Sequence, residues 1–442
     1  MSDSANTPSA RPTVAVVGAG AAGLSAAYHL REHADITLFD RDRRAGGHAH
    51  TIEVEEDGRT LGIDTAFVVF NRPSYPVMSR VFDELGVGTV RHLGGFTFFD
   101  QDSGLEFGTA EMALPDEEAA ATLPPQLLAI REEARRFHTR GRHDFFRKRT
   151  DMPLGQYLDE GGYSEEFKYG YVILLCTAVW SVPAELIWEM PATTVIAFFM
   201  AHDEGGLGGQ RVDWRTVEGG SISYVRKLLA AVDPKLRLGE AVTGIRQEPD
   251  GVVVATPGGA ERYDHVILAV HGDQARDLLD NPSPVQRETL SRVRYNFSTA
   301  VLHTDTAVMP ADRVRWENWN YGKVQVGGEV RPYVAYYMNR LHQLSSHKDY
   351  FVTVDYPREL REETVIRELR YAHPVIDMDL RRLQKDIYAV NDGSRLKLCG
   401  SYFHSKQLHH DQIGSHEAAF ASGMEAAAGI VADLRKAEPP TA

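Results

Sequence analysis

Thr13-Val14-Ala15-Val16-Val17-Gly18-Ala19-Gly20-Ala21-Ala22-Gly23 is the stretch whose reading decides the fold. Its β-branched start reads as a buried parallel strand, and it runs without a spacer into a turn with glycine at the first, third and sixth places. Leu24-Ser25-Ala26-Ala27-Tyr28-His29-Leu30 follows, a run of helix formers. A second strand, Ile36 to Phe39, ends on Asp40, 22 positions after Gly18. Strand, glycine turn, helix, strand and acid in this register make a βαβ dinucleotide-binding unit. Gly18 permits the sharp turn, Gly20 lets a pyrophosphate approach the backbone, and Gly23 allows close helix packing. The helix N-terminus presents the positive end of a dipole, and Asp40 offers a carboxylate to ribose hydroxyls.

Around this unit the chain is of ordinary soluble type. It has 442 residues, a length that suggests about three domains, with 43% hydrophobic and 25% charged residues, so it is neither disordered, fibrous nor a multi-span membrane chain. With 48 basic against 62 acidic residues the net charge is -14, which argues against nucleic acid as the partner. Cys176 and Cys399 are the only cysteines. They provide no disulfide framework, CxxC redox pair or cysteine zinc site. The first residues, Met1 to Pro8, lack the basic region of a secretory leader, so a cytoplasmic location is expected. The longest apolar run, Tyr169 to Val182, is broken by Thr177 and Ser181 and falls short of the roughly 18 residues that span a bilayer. Peripheral membrane contact remains open.

Asp40 is followed by Arg41-Asp42-Arg43-Arg44-Ala45-Gly46-Gly47-His48. A glycine pair with a basic partner so close to the ribose acid is not part of a simple nicotinamide site. This pattern resembles the FAD-binding signature of the flavin amine oxidase and phytoene desaturase superfamily, with His48 where the superfamily usually has arginine. Gly47 to Thr51, Asp64 to Phe70, Trp214 to Ser221, His303 to Thr306, Trp319 to Tyr321 and Met338 to Leu341 are more closely similar to a bacterial group described as predicted NAD/FAD-binding proteins, FAD-dependent oxidoreductases. Some members of that group accompany fatty-acid-modifying methyltransferases, which implies an acyl-chain substrate. Two departures from the group are Ala66, where a glycine is usual, and an enlarged closing loop, His409-His410-Asp411-Gln412-Ile413-Gly414.

The resemblance implies an α/β fold: a Rossmann-like, discontinuous FAD-binding domain of the second glutathione-reductase-like type, with an inserted α+β substrate domain. The FAD-binding domain is expected at 1–70, 216–275 and 393–442, and the substrate domain at 71–215 and 276–392. The cofactor is FAD, held non-covalently by Gly18, Gly20, Ala22, Gly23, Asp40, Arg41, Arg44, Gly46, Gly47, His48, Ala66, Phe67, Val242, Gly400, Ser401 and Ile413. The last helix, from about Ser415, is expected to point its N-terminus at the flavin.

Elsewhere the sequence suggests helices over Asp116 to Lys148 and Tyr163 to Met200, and a helix at Ile222 to Ala231. Strands are expected at Leu236 to Leu238, Ala241 to Ile245, Val252 to Thr256, Val266 to Val270, Thr299 to His303, Tyr333 to Tyr337, Tyr350 to Val354 and Leu396 to Gly400. A second GxGxxG followed by an acid is absent; Gly205 to Gly209 has the wrong spacing. Reduced flavin therefore passes electrons to oxygen, to a separate carrier or back to its substrate.

Candidate catalytic residues are Tyr321, Asn320, Asn339, His50 and Asp64, with Trp319 and Tyr337 as further pocket residues. Satisfied core polar groups are the alternative for these. Tyr169, Tyr171, Trp180, Trp188, Phe198 and Phe199 are either core or the lining of an apolar tunnel. Lys323 and Lys397 are candidates for the water-holding lysine of amine oxidases. His404, His409, His410 and Asp411 lack a convincing ligand spacing, and no metal is expected. The expected activity is hydride removal from a largely apolar, lipid-like small molecule, an unsaturated acyl chain first. The alternatives are C–N oxidation of an amine or amide with possible imine cyclisation, redox-neutral double-bond isomerisation, and a non-catalytic flavin-binding accessory role.

Overall fold

The computed structural model describes residues 11–92, 94–180, 182–202, 213–407 and 412–437. The Gly205 to Gly209 run, His409 to Asp411 and the two chain ends lie outside them. Thr13–Val17 is the middle strand of a five-stranded sheet in the order Leu396–Leu398, His265–Leu268, Thr13–Val17, Asp35–Asp40, Lys235–Leu238, every pair parallel. Its strands thus come from three separated parts of the chain.

Alternation along the middle strand sends Val14 and Val16 to one face and Ala15 and Val17 to the other. The first face is covered by the helix Ala21–Leu30, which packs on the final helix His416–Ala437. The approach is close: a Cβ added at Gly423 would lie 2.2 Å from the Ala22 carbonyl oxygen. The opposite face meets the antiparallel meander Gly244–Glu248, Gly251–Thr256 and Gly259–Tyr263. Burial on both faces explains why the strand is an unbroken apolar run.

A seven-stranded mixed sheet forms the second layer, in the order Val365–Pro374, Tyr295–His303, Phe351–Val354, Glu329–Tyr337, Trp319–Val326, Phe96–Asp100, Glu106–Gly108. The pair Trp319–Val326 with Phe96–Asp100 is parallel. Helix Ile173–Trp180 lies on two of its strands, and Pro125–Phe146 packs on Ala192–His202. No described helix is long and apolar enough to cross a membrane.

The sequence expectations need several corrections. Between 71 and 215 a strand stands before the expected helices: Phe96-Thr97-Phe98-Phe99 is an aromatic strand that pairs with residues more than 200 positions away. The Asp116 to Lys148 pattern is two helices, Asp116–Thr122 and Pro125–Phe146, interrupted at Pro124-Pro125. Pro183 and Pro191 divide the aromatic block in the same way. The strand expected from Ala241 begins at Gly244, and the one expected to reach Val270 ends at Leu268. The residues left irregular, Glu240 to Val242 and Ala269 to His271, turn instead into the crevice at the carboxyl ends of the parallel strands, where such sheets bind ligands.

Candidate active site

That crevice opens into a cavity of about 730 Å³. One side is built by the parallel sheet and its loops, the other by the seven-stranded sheet and the helices Ile173–Trp180 and Ala192–His202. On the first side lie Gly18, Gly20, Ala22, Asp40, Arg41, Arg44, Gly47, His48, Ala66, Phe67, Val242, Gly400, Ser401 and Ile413. Gly23 and Gly46 stand behind this lining and shape it. A Cβ at Gly23 would fall 1.8 Å from the Gly18 carbonyl oxygen, so the helix can sit on the strand only with glycine there. Gly46 has φ +120°, and a Cβ on it would lie 2.4 Å from the Ala49 carbonyl oxygen.

Gly20 is different. It caps the first helix, and a Cβ there would meet only the Gly47 Cα, at 3.9 Å. The space above Gly20 is therefore cavity, a cradle that a larger side chain would fill. Asp40 is fixed at the next strand end, its carboxylate accepting the Ala19 N–H (2.7 Å) and the Asp42 N–H (2.9 Å), while burial pushes its pKa up. Arg44 donates to the carbonyls of Gly47 (2.7 Å) and Ala49 (3.3 Å), which fixes the second glycine turn, and the Gly46 N–H donates to the Ala19 carbonyl (2.7 Å), which holds that turn against the first. Helix N-terminus, bare glycine, ribose-distance acid and paired glycine turn fit a dinucleotide.

Three more histidines join the expected His48 in the lining. His48, His271, His373 and His416 all border the cavity. The His48 ring lies 5.1 Å from Tyr371 and 5.3 Å from His373. His271 stacks on Tyr295 at 4.5 Å, and His416 on Phe67 at 3.8 Å. Burial lowers every one of these pKa values, to about 4 for His373 and about 3 for His416. They are neutral imidazoles at physiological pH, and His48 Nε2 and His373 Nδ1 have no hydrogen-bond partner among the described residues. His48 therefore offers a neutral ring where the resembling family places a cation.

The other side is aromatic: Trp180, Phe198, Trp214, Trp319, Tyr321 and Tyr336, with Val68, Val69, Val179 and Thr194. Trp180 packs on Phe198 (5.1 Å) and Trp214 on Trp319 (5.5 Å). Period-two alternation sorts the candidates along Trp319–Val326. Trp319 and Tyr321 face the cavity, whereas Asn320 points to the other face, where it bonds Glu317 and Ala335. Tyr336, directly opposite Trp319 in the register, is brought in with it, and Tyr337 is turned away to donate to Asp349 (2.7 Å).

Of the five catalytic candidates only Tyr321 borders the cavity. Asn339 fixes a loop by accepting the Tyr350 N–H and donating to the Lys348 carbonyl. Asp64 is buried and accepts from Thr51, the Ser221 N–H and the Ser221 hydroxyl, tying a hairpin to a helix start. His50 stands one layer back, 3.0 Å from the Tyr371 hydroxyl, which also meets Thr65 at 2.7 Å. Burial lowers His50 to about 4 and raises Tyr371 to about 12. Tyr371 itself faces the cavity. In the aromatic block Trp180 and Phe198 reach the cavity, while Tyr171 and Phe199 are core and Tyr169 and Trp188 pack on each other. Lys323 pairs with Asp100 (3.4 Å) and Lys397 with Asp433 (2.7 Å), neither at the cavity. His404 is 3.2 Å from Gln384 through Nδ1.

The comparisons with known proteins agree with this geometry. The family model described as flavin containing amine oxidoreductase matches residues 21–385. Putrescine oxidase bound to putrescine superposes with a TM-score of 0.68 at 16% identity, over 96% of this chain and 99% of that one. Cyclohexylamine oxidase from Brevibacterium oxydans gives 0.67 at 13%, over 96% and 100%. A CLA-producing fatty acid isomerase from P. acnes gives 0.60 at 15%, over 94% and 97%. Among curated proteins, the flavin-containing monooxygenase FMO GS-OX-like 7 of Arabidopsis thaliana is 37% identical over 114 residues, 25% of this chain and 22% of that protein. The match thus spans about a fifth of that relative's length.

Proposed function

The chain belongs to the flavin-containing amine oxidoreductases and is an FAD-dependent oxidoreductase, and on that premise we propose that it removes hydride from a largely apolar substrate, an unsaturated acyl chain first. The observation that carries this reading is the aromatic side of the cavity, where Trp180, Phe198, Trp214, Trp319, Tyr321 and Tyr336 line the wall and the one charged lining residue of the seven-stranded sheet among the described residues, Arg370, is exposed and lies over the Phe297 ring (4.4 Å). The acids that border the cavity, Asp40, Asp42, Glu240, Asp273 and Asp277, belong to the nucleotide side and its rim. A polycationic substrate would leave its charge unpaired against indole and phenol rings, at a cost of several kcal/mol. An uncharged chain instead gains from burial of its methylenes, about 0.8 kcal/mol each.

Bound FAD supplies the hydride acceptor. The protein's own share is orientation and exclusion of water. Trp319 and Tyr336 form one wall of a slot and Trp180 and Phe198 another. Residues on strands and helices hold such a slot more rigidly than loops do, which is what positioning of a C–H bond requires. The imidazoles around the cofactor side are neutral and can accept or donate hydrogen bonds without adding charge.

A second reading, oxidation of an apolar monoamine at its C–N bond, is favoured by one residue. Thr194 is buried in the aromatic wall, and its hydroxyl has no hydrogen-bond partner among the described residues. It offers one polar contact to an amine. Thr194→Val is then expected to raise KM for an amine by about three- to tenfold, the worth of one hydrogen bond, and to leave turnover of an acyl chain and the flavin spectrum unchanged.

Anaerobic mixing decides between the readings. Linoleic acid and cyclohexylamine are offered separately to the FAD-loaded protein, with the visible spectrum followed and products analysed. Bleaching by the fatty acid supports acyl oxidation, bleaching by the amine alone replaces it with C–N oxidation, and a shifted double bond without lasting bleaching replaces it with isomerisation. If neither compound is bound or converted, the acyl reading falls and an accessory role takes its place.

A further inference from the structure

We infer that the end of the helix Pro125–Phe146, together with the turn that follows it to Arg149, docks on an anionic phospholipid bilayer. The sequence there is Arg142-His143-Asp144-Phe145-Phe146-Arg147-Lys148-Arg149. Phe146 is 67% exposed, and Arg142, Arg147, Lys148 and Arg149 are exposed around it. Arg142 and Phe146 are four positions apart on one helix face, and the three later cations continue from the helix end.

These cations are uncompensated. No ion pair among the described residues takes up any of the four, and the acids nearby are engaged elsewhere. Asp144 is buried and held by Arg140 (3.1 Å) and the Tyr157 hydroxyl (3.2 Å), and Asp151 pairs with Arg381 (3.5 Å). Cations at a helix end also offset the dipole, but that effect asks neither for an exposed phenyl ring nor for charges beyond the last turn. Lys148 is the sharper sign. It holds φ 56°, the left-handed place after a helix that glycine occupies without strain, yet the chain keeps a cation there.

Basic residues around an exposed aromatic side chain suit a surface of anionic headgroups over an apolar interior. The net charge of -14 does not prevent approach, since salt screens charges that lie more than about 8 Å from the bilayer. The patch also adjoins the substrate side of the cavity. Thr150, next to Arg149, donates its hydroxyl to that of Thr193 (2.8 Å) and accepts the Thr193 N–H (3.0 Å), and Thr194 is cavity wall. Docking would thus set the aromatic chamber beside a source of acyl chains. The docking itself does not depend on which substrate is oxidised.

The test is cosedimentation of the FAD-loaded protein with vesicles of phosphatidylcholine alone or with phosphatidylglycerol, at low and high salt. The protein is expected to pellet with the phosphatidylglycerol vesicles, to be released by salt and to stay in solution with phosphatidylcholine alone. Lys148→Gly should weaken partitioning about fivefold, one cation's worth, with a melting temperature equal to or above that of the parent. Arg147→Glu with Arg149→Glu should weaken it by more than about twentyfold, and Phe146→Ser should reduce it at constant charge. No pelleting, equal pelleting with both vesicle types, unchanged binding by Lys148→Gly, or equally tight binding to a duplex DNA fragment would overturn the proposal.

Discussion

Gly20→Val is expected to give a folded chain that no longer retains FAD. The added Cβ comes no nearer to a neighbouring segment than the Gly47 Cα, at 3.9 Å, so the strand, helix and second glycine turn are expected to stay in place. It projects instead into the cavity, where the diphosphate must approach the backbone N–H groups at the helix start. Overlap of this kind costs about 3 kcal/mol, a hundredfold or more in affinity. Gly23→Ala makes the opposing case. Its Cβ falls 1.8 Å from the Gly18 carbonyl oxygen, so the helix must leave the strand, with a loss of at least about 3 kcal/mol of stability. Far-UV circular dichroism and FAD fluorescence on the two variants separate these effects. A Gly20→Val protein that purifies with stoichiometric FAD would refute the assignment of the phosphate turn.

Glu417→Gln is expected to flatten the pH dependence of stability between about pH 5 and 8. Glu417 is fully buried at the start of the last helix, and its two oxygens accept the N–H groups of Val77 (3.0 Å) and Met78 (3.1 Å), in the first turn of Pro76–Glu84. The carboxyl thus satisfies donors that a helix start leaves open. Burial nonetheless pushes its pKa from the usual 4.5 to about 7. A pKa raised on folding means that the folded state prefers the protonated form. The stabilisation is complete below about pH 4.5 and is lost as pH rises through 7, for a total of about 3 kcal/mol. Glutamine stays neutral at every pH and keeps an oxygen for one of the two N–H groups. Denaturant unfolding of parent and variant at pH 5, 6.5 and 8 should show the variant gaining on the parent as pH rises. The buried histidines titrate alike in both proteins and cancel in the difference. Parallel curves would show that Glu417 does not carry the linkage. The contact bears on the cavity too, because its neighbour His416 stacks on Phe67 in the lining.

The two sides of the cavity were unequally legible in the sequence. Gly18, Gly20, Asp40 and Gly47 are marked by backbone shape and short spacings, and short spacings survive folding as local geometry, whereas Val242 was expected only from the family resemblance. The aromatic side obeys a different rule. Asn320 and Asn339 look as suitable as Tyr321 in the sequence, yet alternation turns Asn320 away and a loop consumes Asn339. Tyr336 and Tyr371 gave no signal of their own. Each faces the cavity because its strand pairs with a particular partner in a particular register, Tyr336 opposite Trp319 and Tyr371 opposite Ser298. Histidines 48, 271 and 373 come from three distant segments, so no window of sequence contains them together.

The sequence by itself therefore determined the dinucleotide unit, whose contacts lie within a few dozen residues, and the flavin and the family, whose motifs are residue patterns that can be read wherever they fall in the chain. Only the tertiary structure decided what the flavin is shown to. A one-residue shift in strand register would exchange the face that carries Trp319 and Tyr321 for the face that carries Asn320. Register is set by pairing between strands more than 200 residues apart, such as Phe96–Asp100 with Trp319–Val326. The apolar character of this side of the cavity thus belongs to the packing of sheet and helices, not to any one segment of the chain.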